Sequence, residues 1–126
     1  MKYLLLIYAN PTTWQHPLFL HPQGGLSSDE AERLRARFHA LLKEITESGE
    51  LVGGEPLAAP ALSRTVRKGA GAPAVTDGPF AETKEQLAGY FLLDCASLER
   101  ATEIAARFPD AEQCAVEVRP LTVTGP

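Results

Sequence analysis

The residues with the clearest chemical potential lie in the segment TDGPFAETKEQLAGYFLLD, at positions 76–94. Asp77 precedes Gly78 and Pro79, which are turn formers, so we expect its side chain to accept hydrogen bonds from nearby backbone N–H groups. A carboxylate held in this way is also well oriented to act as a base or to accept a hydrogen bond from a ligand. Two interpretations of Asp77 therefore stay open: a turn residue, and a catalytic carboxylate at the mouth of a cleft.

Charged and polar residues near this turn extend the predicted site. Glu82 and Lys84 would bracket a bound molecule, although charges that lead into a strand are often only solvated. Arg64 and Tyr90 fall on predicted strands, where an inward-pointing polar group must be paired. We predict these four residues as ligand-binding. Glu55 and Arg119 also fall on predicted strands and would have to be paired if they point inward, but Arg119 together with Glu117 is better explained as an outward-facing pair on the last strand.

The long polar and proline-rich segment 10–26 contains two histidines, His16 and His21, each followed by proline. A neutral imidazole can act as a general base near pH 7, so both are candidates for catalysis after Asp77. The segment offers no carboxylate or third ligand beside them, and we therefore predict no metal site. Trp14 is a further candidate for ligand binding, because an apolar side chain in a long loop can cover a pocket as a lid; local packing is the alternative.

Composition restricts the classes of function. The chain has 126 residues, which predicts a single domain over 1–126, and 22% of its residues are charged. A formal net charge of −4 disfavours nucleic-acid binding. The N-terminal apolar run is too short for a membrane helix and no small-residue cleavage site follows it, so we expect no membrane association and no export.

The absence of several known motifs and the two cysteines restrict the predicted chemistry and cellular compartment. The sequence has no GxSxG elbow, phosphate-binding loop, dinucleotide fingerprint or HExxH motif, and we predict no cofactor. Cys95 and Cys114 form no CxxC pair. Two such cysteines predict reduced, mostly packing side chains in a cytoplasmic protein.

Hydrophobic periodicity predicts two helices among six strands. The predicted strands lie at 2–9, 50–57, 62–67, 74–76, 86–94 and 114–121, and the predicted helices at 27–49 and 98–108. The inner positions of the first helix would be Ala31, Leu34, Phe38, Leu41, Leu42 and Ile45, and those of the second Leu98, Ala101, Ala105 and Phe108. This order predicts an α+β, ferredoxin-like split βαβ fold, with an antiparallel sheet and both helices on one face.

The strands at 3–9 and 87–93 are apolar on both faces, yet the helices can cover only one. The other face would be a larger apolar patch than a soluble monomer normally exposes. A two-fold homodimer that packs these faces together is the predicted remedy. The alternative is that the segment 10–26 folds over this face in a single chain.

The segment TDGPFAETKEQLAGYFLLD, together with KYLLLIYA, GELVGGEPL and VEVRPL in the same order, resembles the YCII-related family, specifically its DGPF-domain branch. The resemblance covers nearly the whole chain and implies a dimeric α+β barrel. It implies little about activity, although some members are linked by gene context to extracytoplasmic-function sigma factors. This chain departs from the family in carrying WQHPLFLHPQGG where members usually have a short acidic connection, so a site closed by that loop would differ.

The functional prediction is a small dimeric barrel protein with a small-molecule cleft. As an enzyme it would catalyse a cofactor-free acid–base reaction on a small polar substrate, with Asp77 as the first catalytic candidate. The alternative is a non-catalytic module, either a ligand sensor or a protein-interaction partner in sigma-factor regulation. A cleft that holds Asp77 beside a histidine or an arginine would favour the enzyme.

Overall fold

A computed structural model describes residues 1–10 and 28–122 of the chain. The strands are β1 (Lys2–Ala9), β2 (Leu51–Pro56), β3 (Arg64–Arg67), β4 (Ala74–Asp77), β5 (Gln86–Asp94) and β6 (Ala115–Pro120). The helices are α1 (Ser28–Glu47), α2 (Leu98–Arg107) and α3 (Pro109–Gln113), and a 3-10 turn spans Pro60–Leu62. No helix in these ranges is long and apolar enough to cross a membrane.

Four strands form one antiparallel sheet in the order β2-β5-β1-β6. The two central strands, β1 and β5, are the ones whose sequences are apolar on both faces. Strands β3 and β4 follow β2 and precede β5 in the sequence, and they form a separate two-stranded sheet. The prediction of a ferredoxin-like α+β fold is confirmed, because this strand order and the alternation of strands with α1 and α2 define that topology.

One face of the sheet packs against the helices. Alternate residues of β1, beginning at Tyr3, are buried on this face, as are Phe91 and Leu93 of β5. The rings of Phe38, Phe91 and Phe108 lie 5.0–6.0 Å apart and join α1, β5 and the end of α2. Such separations are typical of favourable aromatic pairs. The residues of the core cluster lie between this face and the helices.

The helices bear out most of the predicted pattern. Four of the six predicted inner positions of α1 are fully buried and two are half-buried. The helix ends at Glu47, and Gly49 follows with a φ of +84°, a conformation that glycine adopts without strain.

The prediction for α2 is wrong at two places. Leu98 is 44% exposed, because it occupies the first helical position, while Ile104 is completely buried beside Ala101 and Ala105. The short helix α3, which follows the end of α2, was not predicted; Pro109 is its first residue, a position that tolerates proline because its N–H needs no helical partner.

The second face of the sheet, which we call the open face, is covered by none of the helices α1, α2 and α3. The register places Leu4, Leu6 and Tyr8 of β1 on it, next to Tyr90 and Leu92 of β5. All five side chains are only half-buried. The sequence predicted this two-sided apolar character, and the structure shows which residues carry it.

The inserted strands form a projection, which we call the arm and define as residues 64–77. Val66 and Val75 pair across the arm and are 61% and 54% exposed. Phe80, just beyond β4, is 72% exposed. The arm is therefore held by its own strand pairing and contributes nothing to the buried core.

Candidate functional site

A row of side chains crosses all four strands on the open face. Strand pairing places Glu55 beside Tyr90, Tyr90 beside Leu6, and Leu6 beside Glu117. The next row runs through Leu92 and Leu4 to Arg119. Directly opposed residues of antiparallel strands are close neighbours, so the polar groups at the sheet edges flank an apolar centre.

The polar contacts of the open face centre on Glu117. The Tyr8 hydroxyl donates a hydrogen bond to one oxygen of the Glu117 carboxylate, at 3.4 Å. Arg119 donates to the other oxygen through a guanidinium N–H, forming an ion pair. We call these three residues the open-face cluster; none of them is fully buried, so each is within reach of a molecule bound on this face.

The electrostatics of this cluster keep the phenol protonated. Burial raises the pKa of Tyr8 above its ordinary value of 10.0, and the charge of Glu117 and its hydrogen bond raise this pKa further. The positive charge of Arg119 acts in the opposite direction but less strongly. Tyr8 is thus a neutral hydrogen-bond donor throughout the physiological pH range.

The cluster combines three chemical roles beside an apolar surface. Glu117 can accept a proton, Tyr8 can donate a hydrogen bond, and Arg119 can stabilise negative charge on a ligand oxygen. Leu4, Leu6 and other apolar side chains of the face supply a surface for a small carbon skeleton. Mostly apolar lining with a few polar groups is typical of small-molecule sites.

Asp77 lies elsewhere, at the end of β4 on the arm. Its carboxylate is 89% exposed and forms an ion pair with Arg64, with 3.6 Å between Oδ1 and Nε. The expected hydrogen bonds from backbone N–H groups are not formed among the described residues. Instead Gly78, which has a φ of +100°, donates from its N–H to the Ser63 carbonyl at 2.7 Å and so extends the pairing of β3 with β4 into the turn.

Among the described residues, Asp77 thus lies beside an arginine but not inside a cleft. The catalytic role of Asp77 and the ligand-binding role of Arg64 stay predictions.

Glu82 and Lys84 lie on the connection between β4 and β5, with exposed side chains. Gln86 orders this connection by donating from Nε2 to the Ala81 carbonyl at 2.7 Å and to the Thr83 hydroxyl at 3.1 Å. Of the four predicted ligand-binding residues that the structure describes, only Tyr90 lies on the open face. The structure therefore divides the predicted set between the sheet, the arm and this connection.

Three predicted site residues, Trp14, His16 and His21, lie outside the described residues. So does nearly all of the segment 10–26 that was predicted to act as a lid. Within residues 1–10 and 28–122, no group of three or more His, Cys, Asp or Glu side chains is placed to hold a metal ion.

Both cysteines are free thiols. Cys95 is buried and joins the core cluster. The Cys114 thiol donates a hydrogen bond to the Glu85 carboxylate. Burial and this neighbouring negative charge raise the pKa of Cys114 to about 11, so the thiol stays protonated and is a poor nucleophile at neutral pH.

A groove of about 390 Å³ lies on the helix side, between α1 and α3. The ion pair between Arg37 and Glu112, at 2.9 Å, crosses it. Arg33 and Glu30 also line it, so charges of both signs alternate along its walls. The groove lacks the combination of an apolar floor with grouped polar atoms that the open face offers, and we favour the open face as the site.

The sequence analysis did not identify Tyr8 as a candidate site residue, and it interpreted Glu117 and Arg119 as outward-facing residues of a strand. Tyr8 and Glu117 are 109 positions apart in the chain, and only the pairing of β1 with β6 brings them together. One feature of the sequence could have pointed to Tyr8: it lies near the end of the apolar run of β1. A hydroxyl at the end of such a strand needs a polar partner, and the sequence did not identify it.

Comparisons with known proteins found a similar sequence, a similar solved structure and a family match. An uncharacterised protein from Rhizobium meliloti (strain 1021) is 40% identical over 102 residues, which cover 79% of this chain and 82% of that protein. The structure of 5-chloro-2-hydroxyhydroquinone dehydrochlorinase from Burkholderia phenoliruptrix AC1100, in complex with 2,5-dihydroxybenzoquinone, aligns over 97% of this chain and 94% of that chain, with a TM-score of 0.47 and 14% identity. The model of the YCII-related domain matches residues 1–124, and the chain therefore belongs to the YCII-related family.

Proposed function

We propose that the open face is the floor of a small-molecule site in a cytoplasmic homodimer, and that the site performs acid–base chemistry without a cofactor. The observation that carries the proposal is the hydrogen-bonded contact of Tyr8 with Glu117, joined by Arg119, on an otherwise apolar face. Soluble monomers rarely expose a large contiguous apolar patch, so an apolar sheet face without a helix on it is expected to bind a ligand or a partner.

The expected ligand has a small carbon skeleton and an oxygen-rich end, as hydroxy and oxo acids do. The skeleton would lie on Leu4, Leu6 and Leu92, and an acidic proton beside a carbonyl would face Glu117. Glu117 would take this proton while Arg119 and Tyr8 stabilise the negative charge that develops on the carbonyl oxygen.

The homodimer is supported by the same face. Two helices cover one side of the sheet, whereas Leu4, Leu6, Tyr90 and Leu92 are only half-buried on the other. A second copy that covers this side would remove apolar surface from water and would enclose the cluster in a less polar space, where its charges interact more strongly.

A thermal-shift screen of small hydroxy and oxo carboxylic acids tests the binding site. We expect a ligand that stabilises the wild type to lose its effect in Glu117→Gln and to be weakened in Tyr8→Phe. Glu112→Gln is the matched control, because Glu112 is also a carboxylate paired with an arginine but lies on the helix side. Equal responses of Glu117→Gln and the wild type to every ligand would refute the site.

Catalysis is tested separately, by NMR in D₂O. An acid–base enzyme should exchange the acidic C–H of its ligand for deuterium, and Glu117→Gln should abolish this exchange. The second candidate function, a non-catalytic ligand sensor, is favoured by the exposed apolar arm, which resembles an interaction surface more than an active-site wall. Binding that depends on Glu117 without any exchange would select the sensor.

A further inference from the structure

The carboxylates on strands β1 to β6 differ in whether they have a partner. There are four of them, and three pair with a cation: Asp77, Asp94 and Glu117. The fourth, Glu55 on β2, is exposed and forms no hydrogen bond or ion pair with any residue of the described ranges. A carboxylate in this position can still accept hydrogen bonds from a bound molecule.

Glu55 points to the open face. It pairs with Tyr90, whose side chain lies on that face, whereas the preceding residue, Gly54, pairs with Phe91, which is buried on the helix side. Successive residues of a strand point to opposite faces of the sheet. Glu55 therefore occupies one end of the row that crosses all four strands, and Glu117 occupies the other end.

The surroundings of Glu55 provide a second polar atom and space. The hydroxyl of Tyr90, the next residue of the row, has no hydrogen-bond partner in the described part of the chain, and it can donate as well as accept. The neighbouring row ends on β2 at Gly53, opposite Leu92, where an added Cβ would meet nothing within 4 Å. The protein thus leaves this end of the open face unfilled.

We propose that Glu55 and Tyr90 form the second polar end of the small-molecule site and select ligands that carry a hydrogen-bond donor remote from their acid group. The open-face cluster holds the oxygen-rich end of the ligand, and Glu55 accepts a hydrogen bond from a hydroxyl or amino group at the other end. This inference rests on the proposed function and deepens it, because it specifies the length of the ligand and the chemistry of its far end.

The strand register sets the length of this ligand. Glu55 on β2 and Glu117 on β6 are three strand spacings apart, which is about 14 Å. Hydrogen bonds of about 2.8 Å at both ends leave roughly 9 Å between the terminal polar atoms of the ligand. An aromatic ring with a hydroxyl opposite a three-carbon oxo-acid side chain spans this distance. A short hydroxy acid cannot contact both ends.

The charges at the two ends explain why their preferences differ. Arg119 accompanies Glu117, so that end of the row can receive an anionic group. No cation accompanies Glu55 in the ranges that the structure describes, and a second acid group on the ligand would be repelled there. A neutral or positively charged donor is therefore preferred at this end, and dicarboxylic acids are disfavoured.

Isothermal titration calorimetry with three related acids tests the far end. They are phenylpyruvate, 4-hydroxyphenylpyruvate and 4-methoxyphenylpyruvate. We expect the hydroxy compound to bind the wild type at least about tenfold more tightly than phenylpyruvate, because it gains a hydrogen bond to a charged acceptor. The methoxy compound carries the same oxygen but cannot donate, and it should bind no more tightly than phenylpyruvate. Equal affinities for all three acids would overturn the proposal.

Variants of the two residues identify the source of this preference. Glu55→Ala should abolish the preference for the hydroxy compound and leave the affinity for phenylpyruvate nearly unchanged. Tyr90→Phe should reduce the preference without abolishing it, because Glu55 remains. Glu47→Ala is the matched control, since Glu47 is also an exposed carboxylate but lies at the end of α1, on the helix side.

The ratio of two affinities measured on one variant is insensitive to a general loss of stability. It therefore distinguishes a contact with the ligand from a purely structural role of Glu55. Retention of the full preference in Glu55→Ala, or its loss in Glu47→Ala, would contradict the proposal.

The outcomes separate this inference from the proposed function. If phenylpyruvate binding depends on Glu117 but the hydroxyl adds nothing, the site stands and the far end is wrong. The same conclusion follows if none of the three acids binds while a shorter acid gives a response that depends on Glu117. If the hydroxyl preference depends on Glu55 but Glu117→Gln binds like the wild type, the far end stands and the acid–base role of the open-face cluster is wrong.

Discussion

The two faces of strand β1 differ in how they are covered, although both are apolar. Tyr3, Leu5 and Ile7 point towards the helices and are at most 2% exposed, whereas Leu4 and Leu6, between them in sequence, are half-buried on the open face. The helix side contains nearly the whole core, and the open side contains the cluster around Glu117. The side chains on one side of β1 are thus buried by the rest of the chain, whereas those on the other side remain partly exposed.

This difference separates residues that stabilise the fold from residues available for binding. Side chains on the helix side have no solvent contact to exchange for a ligand. Those on the open face keep part of their surface in water, and its loss to a ligand or a second copy is favourable. Stability and function can therefore be altered independently by neighbouring substitutions on β1.

The largest difference is expected between Leu5→Ala and Leu4→Ala. Leu5 is fully buried, so its truncation should lower the free energy of unfolding by about 2–5 kcal/mol, as for other buried leucines. Leu4→Ala should cost roughly 1 kcal/mol, because its side chain is already partly solvated. Urea unfolding measures both. Equal costs would show that the open face is packed as tightly as the helix side, and would contradict a cleft above Leu4.

A smaller difference is expected between the neighbouring glycines of β2. A Cβ added to Gly54 would lie 2.5 Å from Cδ1 of Phe91 and 2.6 Å from the Tyr90 carbonyl oxygen, whereas one added to Gly53 meets nothing within 4 Å. Gly54→Ala should therefore cost about 1–3 kcal/mol through overpacking on the helix side. Gly53→Ala, its control, should change stability by less than about 0.5 kcal/mol. Thermal unfolding of both would test the assignment of the two faces.

The smallest effect is expected from acid, and it should arise on the helix side. Arg100 donates two hydrogen bonds of 2.9 Å to the carboxylate of Glu50, which is 16% exposed, and these bonds lower the pKa of Glu50 from its ordinary value of 4.5. A lowered folded-state pKa gives stability that is present above the unfolded value and is lost as pH falls through the folded one. Glu50→Gln should therefore have a lower Tm than wild type at pH 7, and the gap should close below about pH 4.5.

Arg37 provides the control for this acid effect. Its pair with Glu112 is about half exposed on both sides, so Glu112→Gln should show a much smaller gap in Tm at every pH. If the gap for Glu50→Gln were constant between pH 7 and pH 3, the stabilisation would not come from the ionised carboxylate.

Much of the fold could be predicted from local patterns. The apolar stripe from Ala31 to Ile45, the glycine at position 49 and the two-sided strands specify α1 and the sheet, since periodicity reflects which side of an element faces the core. The errors were local as well. Leu98 has the spacing of a core residue but lies at the first helical position, and the short helix α3, which begins at Pro109, was not predicted.

The sequence by itself determined that this chain has more apolar strand surface than two helices can cover, and it marked Asp77 and Arg64 as candidates. Only the tertiary structure decided which polar groups meet. Tyr8 and Glu117 come together because β1 pairs with β6 in one particular register, and such pairing depends on contacts between distant segments that no local pattern records. The pairing of β3 with β4, in a sheet separate from the core strands, places Asp77 on the arm.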